Sequence, residues 1–293
     1  MTMTSQRNGA RDLWTLLEPI HAVTYFSPEP LDALRAAGFR GFWMGYFAGR
    51  AAPLGQVGPE VVHALFHNFT HERVARALPD AWSHASPEAA LVARLDGSVA
   101  ALRRSLGDHV DPTQIDRAAE LAARVALALP PEGRALYAAN RSLAEPSRPL
   151  ARLWHAATLL REHRGDGHVA ALVVAGIGGR ESHVLHALSS GTPPEVYTKA
   201  RDFSEAEWAG CLRSLRIKGL ANSDGLTDEG IRVKQEVEDR TDALASEGLG
   251  SLTATERDEL LALLRPIAGA VVDAGDIPLK SPMGLDLSAV TTA

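Results

Sequence analysis

Glu18, His21, Thr24 and Tyr25 stand three and four residues apart, so one side of a helix presents a carboxylate, an imidazole and a phenol together. Arg40, Trp43, Tyr46, Phe47 and Arg50 occupy a second helical stretch. Its guanidinium groups suit an anion, and its rings suit a flat body stacked against them. A third cluster is Arg164-Gly165-Asp166-Gly167-His168. An imidazole oriented by a carboxylate can act as acid or base near neutral pH. His21, Asp166 and His168 are therefore the candidate catalytic groups. Glu18, Tyr25, Arg40, Trp43, Tyr46, Phe47, Arg50, Arg164 and His183 are the candidate ligand contacts. Each has a plainer role beside the chemical one. Trp43 and Phe47 can simply fill a core, and Asp166 can cap a helix beginning after it.

Metal and cofactor chemistry is less well marked. Glu181, His183 and His186 cluster, and His63 and His67 are four apart, but HALFH lacks the glutamate of a zinc protease helix. A centre built from His67, Glu181 and His183 needs tertiary convergence, with zinc, copper and iron equally open. The run GIGG at 176–179 joins two expected helices rather than following a strand, so it reads as a turn. No phosphate-loop phrase and no GxSxG elbow is present. The single cysteine, Cys211, lies on an apolar stripe and reads as core. No cofactor is assigned.

The elements that must carry these groups are helical. Ala and Leu are abundant, aromatic residues make up 5% of the chain, and apolar residues recur at helical spacing. The segment from Gly38 and the segment from His163 form a loose near-repeat. Each has an Arg-Gly pair, an apolar helix, a glycine turn, and then Glu with two histidines. Arg152-Leu153-Trp154 echoes Arg11-Asp12-Leu13-Trp14. Two related halves facing each other would enclose one composite pocket built from 18–50 and 164–186. The expected layout is a first half at 10–84, a connecting bundle at 85–149, a second half at 150–248, and a C-terminal helix with an extended tail at 249–293. Residues 1–10 read as a disordered tail, Pro19 as a kink or break, and Gly165-Asp166-Gly167 as a break between two helices. In the second half, Ser204 and Glu207 form a capping box, a short hairpin is expected around Asp224-Gly225, and Thr227 caps a long helix. The fold class is thus mainly α, two pseudo-repeated helical halves of winged helix-turn-helix character, with a small β wing in the second.

Several phrases carry a family resemblance: LEPIHAVTYFSPE at 17–29, RGFWMGYFAGRAAPLG at 40–55, FHNF at 66–69, REHRGDGHVAAL at 161–172 and RSLRIKGLANSDGLTDEG at 213–230. Across nearly its full length the chain resembles an actinobacterial family of helix-turn-helix proteins of similar size without a settled function. The last phrase also resembles the core of winged-helix repressors of the multiple-antibiotic-resistance type. That likeness implies a homodimer, a small effector and DNA.

The charge pattern tempers the DNA expectation. The net charge is −6, and 203–240 holds six Lys or Arg against eight Asp or Glu. Glu205 and Glu207 fall in the first turn of the recognition-like helix, where a phosphate-lined groove repels them. The leading expectation is a ligand-responsive regulator with weak or partner-dependent DNA contact, binding a small organic ligand of aromatic or anionic character. The alternative is an enzyme of specialised metabolism using acid–base chemistry between the halves. No apolar signal core and no membrane-spanning run appears, so the expected compartment is the cytoplasm, with no membrane partner.

Overall fold

The computed structural model describes residues 3–108, 110–279, 287 and 290. The helices are α1 (Met3–Phe26), α2 (Pro28–Ala36), α3 (Gly41–Ala51), α4 (Pro59–Phe66), α5 (His71–Ala75), α6 (Ala81–His84), α7 (Pro87–Leu106) and α8 (Pro112–Leu127). They continue as α9 (Ala135–Arg141), α10 (Pro149–Val174), α11 (Gly179–Ser190), α12 (Pro194–Arg201), α13 (Glu205–Ile217), α14 (Asp228–Ala245) and α15 (Ala254–Asp273). Short polar side chains start many of them. Ser86, Asp111, Ser204, Thr227 and Thr253 each accept a backbone N–H from the first turn that follows.

The main core is a bundle of α1, α7, α8, α10 and α15. Leu13, Leu17, Leu102, Leu121, Trp154 and Leu264 meet in it. Two lobes flank the bundle. The first, α2 to α6, closes around Phe39, Phe47, Phe66 and Leu78. The second joins the end of α10 to α11, α13 and α14 around Leu172, Val184, Leu215 and Val237. Helix α10 runs through both regions, about 39 Å long at 1.5 Å per residue for its 26 residues. Its first half is buried on nearly all sides, from Leu153 to Leu159. Its second half carries the buried polar groups Glu162, His163, Arg164 and Asp166.

Four sequence expectations change. The β wing is absent: among the described residues there is no strand, and the only pairing is one antiparallel bridge, Ala221 to Leu226. The Asn222 side chain takes the N–H groups of Asp224 and Gly225, and Thr227 starts α14 at once, leaving no length for a ladder. This overturns both the winged fold class and the likeness to winged-helix repressors. The Gly165-Asp166-Gly167 break does not occur either. The Asp166 carboxylate caps α9 instead, accepting from Tyr137 N at 3.0 Å, and α10 continues. Gly167 lets Arg134 lie close against α10, since a Cβ there would stand 3.1 Å from Arg134 Nη1.

The other two concern α1 and α13. Helix α1 starts at Met3 rather than after a ten-residue tail, and it passes unbroken through Pro19. The missing N–H frees the Thr15 carbonyl, and packing against α10, α14 and α15 holds the helix together. The Ser204 box is half formed, because the Glu207 carboxylate turns to Arg180. Most of the expected C-terminal tail lies outside the described residues. Within them, Ile277 and Leu287 are buried in the main core.

Candidate functional site

A cavity of about 390 Å³ opens where the two lobes face each other along α10. That size suits a small organic molecule. Its wall draws on α1, α3, the end of α4 and the loop after it, α10, α11, α12 and α14. Six cationic side chains line it: Arg11, Arg50, Arg161, Arg164, Arg201 and Lys234. The lining carboxylates are Glu18, Asp166 and Glu238. Trp14, Tyr46, Phe66 and Phe69 supply aromatic surface.

Five of these cations are held by two ion networks. In one, Glu162 receives Arg50 through two contacts of 3.2 Å and Arg161 at 2.8 Å. Burial of Glu162 opposes its charge, but these two guanidinium groups outweigh it and hold the carboxyl well below its ordinary range. In the other, Asp242 receives Arg11 at 2.7 Å and Arg164 at 2.8 Å, while Glu238 receives Arg11 at 2.8 Å and also Lys234. Arg50 lies 4.0 Å from the Phe66 ring centroid and Arg164 3.9 Å from that of Trp14, so each guanidinium is fixed by a ring face as well as by a carboxylate. Arg164 Nε remains buried without a hydrogen-bond partner.

The loop at the end of α4 is strained where it meets the second lobe. His67 has φ 47° and ψ −53°, a γ-turn conformation rare for a residue with a side chain, and Asn68 N donates to Phe66 O at 2.5 Å. Such a conformation costs of order 1–3 kcal/mol and needs rigid support. Gly179 provides it, because a Cβ there would stand 1.8 Å from His67 O. The next residue, Arg180, joins several elements. It donates to Asn68 O at 3.5 Å, Arg201 O at 2.8 Å, Asp202 O at 3.3 Å and both oxygens of Glu207 at 2.7 and 2.9 Å. One guanidinium thus ties the cavity loop to α12, the following turn and α13.

The sequence candidates divide between two spaces that share Tyr46 and Arg50. Glu18, Tyr46, Arg50, Arg164, Asp166, His168 and His183 line the cavity. His21 and Tyr25 instead border a small adjoining void of about 10 Å³ behind Arg50 and Glu162. His21 is 2% exposed, and burial, then Arg161, drives its imidazole well below the ordinary range. His21 and His168 therefore do not share a pocket. Arg40 is exposed at the start of α3. Phe47 is buried in the first lobe, and Trp43 packs beside it under Arg73 at 4.1 Å.

The metal constellation does not assemble. Among the described residues no three His, Cys, Asp or Glu stand together as ligands. Glu181 Oε2 is taken by Lys218 at 2.6 Å and Gly178 N at 2.7 Å.

Sequence reading missed Arg11, Arg161, Lys234 and Glu238. The last two lie in a charge-rich stretch of α14 that resembles any solvated helix face. Trp14 and Glu18 did carry a signal, standing four apart, and Trp14 Nε1 donates to Glu18 at 3.1 Å.

No helix among the described residues is long and apolar enough to cross a membrane. No curated protein matches the chain, and no solved structure does. A family described as a helix-turn-helix family matches residues 10–278. The match names no source organism, so the actinobacterial attribution falls away, and nothing in it points to specialised metabolism. In the structure, α12, a turn at 202–204 and α13 follow one another in the chain as helix, turn and helix. With the match spanning most of its length, the chain belongs to this helix-turn-helix family.

Proposed function

We propose that this protein is a ligand-responsive helix-turn-helix regulator whose effector is a small organic anion with an aromatic body. The observation that carries the reading is the cavity itself. Buried guanidinium groups and ring faces from both lobes converge on a space of about 390 Å³ in a chain of net charge −6. The lining carries six cations against three carboxylates, an excess that favours an anion in the space. The Arg180 clamp supports a regulatory outcome, since a ligand that shifts the loop at 66–69 pulls on α12 and α13 through one side chain.

DNA contact is the weaker half of the reading. Glu207 is neutralised by Arg180, which leaves Glu205 exposed in the first turn of α13 and Arg213, Arg216 and Lys218 exposed at its far end. This surface fits weak or partner-dependent binding, with a homodimer supplying a second copy of it. Calorimetric titration of the full chain with aromatic carboxylates tests the ligand half. Gel shift on its own upstream DNA, with and without a binding acid, tests the regulatory half. Absence of heat from every acid refutes the first, and a gel shift that no bound acid alters refutes the second.

A further inference from the structure

Two imidazoles in this protein are held by the same device. His21 Nδ1 lies 3.0 Å from Thr158 Oγ1, and Thr158 donates its proton to the Trp154 carbonyl at 2.9 Å. His168 Nδ1 lies 3.0 Å from Thr241 Oγ1, and Thr241 donates to the Val237 carbonyl at 2.6 Å. A hydroxyl has one proton to give, so each threonine must accept from its imidazole. Both rings therefore carry their proton on Nδ1. Both are also neutral. Burial, then Arg161, drives His21 well below the ordinary range, and burial takes His168 to about 4 against the pull of Glu238. A neutral ring protonated on Nδ1 presents a bare lone pair at Nε2.

The two rings differ in what meets that lone pair. At His21 it is the Tyr25 hydroxyl, 3.1 Å from Nε2 and necessarily the donor. At His168, which lines the cavity, no hydrogen bond to Nε2 is found among the described residues. Glu238, the carboxylate that favours a charged ring there, is already bound by Arg11 and Lys234. Two further cavity residues keep an unpartnered imidazole nitrogen, closed off from the cavity surface. His67 Nε2 and His183 Nε2 are buried without partners, and His183 is only 3% exposed. The wall thus offers an acceptor at His168 Nε2 and donors on its guanidinium groups.

We propose that the effector is a hydroxy acid, with its carboxylate turned to the guanidinium groups and its hydroxyl donated to His168 Nε2 as Tyr25 donates to His21. This rests on the organic-anion reading of the cavity and specifies the second functional group. Thr241 is the positioning residue, because it fixes which nitrogen is the acceptor.

The test is calorimetric titration of the full chain, near neutral pH, with phenylacetate and benzoate and with the ortho, meta and para hydroxy derivatives of each. At least one hydroxy acid should bind about tenfold more tightly than its parent, the worth of one neutral hydrogen bond. In His168→Phe that ratio should fall to about one, whatever the absolute affinity. Thr241→Val keeps the ring but releases its tautomer, so the ratio should shrink there too. Nitrogen NMR of histidine-labelled wild type should show His168 protonated on Nδ1, and thermal melts confirm that both variants fold. Equal affinity for all hydroxylated and parent acids, a ratio that survives in His168→Phe, or a His168 proton on Nε2 overturns the assignment and leaves the anion site standing. Failure of every acid to bind overturns the anion reading along with it.

Discussion

Replacing Asp166 with asparagine should make the protein more stable near neutral pH. Asp166 accepts from Tyr137 N at 3.0 Å, which favours the charged carboxylate, yet burial outweighs this and pushes its pKa from 3.8 up to about 6. A folded value above the unfolded one means that ionising the group costs stability. The contribution is complete below the unfolded value of 3.8 and is lost as pH rises through about 6. A rise of about two pH units corresponds to about 3 kcal/mol at 1.36 kcal/mol per unit. The residue is 8% exposed, so solvent screening removes little of this. Asparagine keeps the shape and the acceptor but not the charge. Its weaker cap on α9 gives back of order 1 kcal/mol. Near neutral pH, Asp166→Asn should therefore gain about 2 kcal/mol. At about pH 4 the gain should vanish or turn slightly negative, because the wild-type group is then protonated too. Urea unfolding followed by circular dichroism across that range, with an unchanged slope, measures the difference. A variant that is less stable than wild type near neutral pH, or a difference that does not vary with pH, would falsify the argument. Either result would mean that Asp166 is an ordinary ionised cap.

Three other outcomes follow from named contacts. Glu162→Gln leaves the buried Arg50 and Arg161 facing a neutral amide and should cost about 3–5 kcal/mol in chemical denaturation; a loss under about 1 kcal/mol would show that the ion network is not closed to water. Gly179→Ala places a methyl group 1.8 Å from a backbone oxygen that cannot yield, so unfolding should be easier by at least about 2 kcal/mol; a neutral result would place α11 further from the His67 turn. Arg180→Met should leave the cavity able to bind its acid but raise amide exchange across α12 and the first turn of α13 by about tenfold, as about 1–2 kcal/mol of local restraint is lost; unchanged exchange would remove Arg180 from the coupling route.

Much of the helical layout was legible because local chemistry and periodicity agree. Ser86, Ser204, Thr227 and Thr253 each stand immediately before a helix and cap it. The failures have different physical causes. Gly165-Asp166-Gly167 has the composition of a break, but its carboxylate serves a different helix and its glycine admits Arg134, and neither partner is near in sequence. The wing failed because Asn222 folds its own side chain into the turn. The same split applies to the candidate site. Tyr46 with Arg50 is legible as a pair on one helix face, whereas Arg164 and His168 share a helix only because α10 runs on through the expected break. The partners that hold them, Glu162, Asp242 and Thr241, come from α10 and α14, and nothing in local spacing announces them.

The continuity of α10 also decides how the chain can be taken apart. A cut in the loop at 142–148 falls between α9 and α10, in exposed or half-exposed backbone. The N-terminal piece would then hold α1, α7 and α8 without the helix that fills their centre. The C-terminal piece would carry Trp154 and its neighbours as a naked apolar rod. Each piece keeps the core of one lobe but neither owns a finished main bundle, so reassembly would rebuild bundle and cavity in one event. The protein is in this sense interlocked rather than jointed, and a split at that loop would make fragment association a direct report on the cavity's own wall.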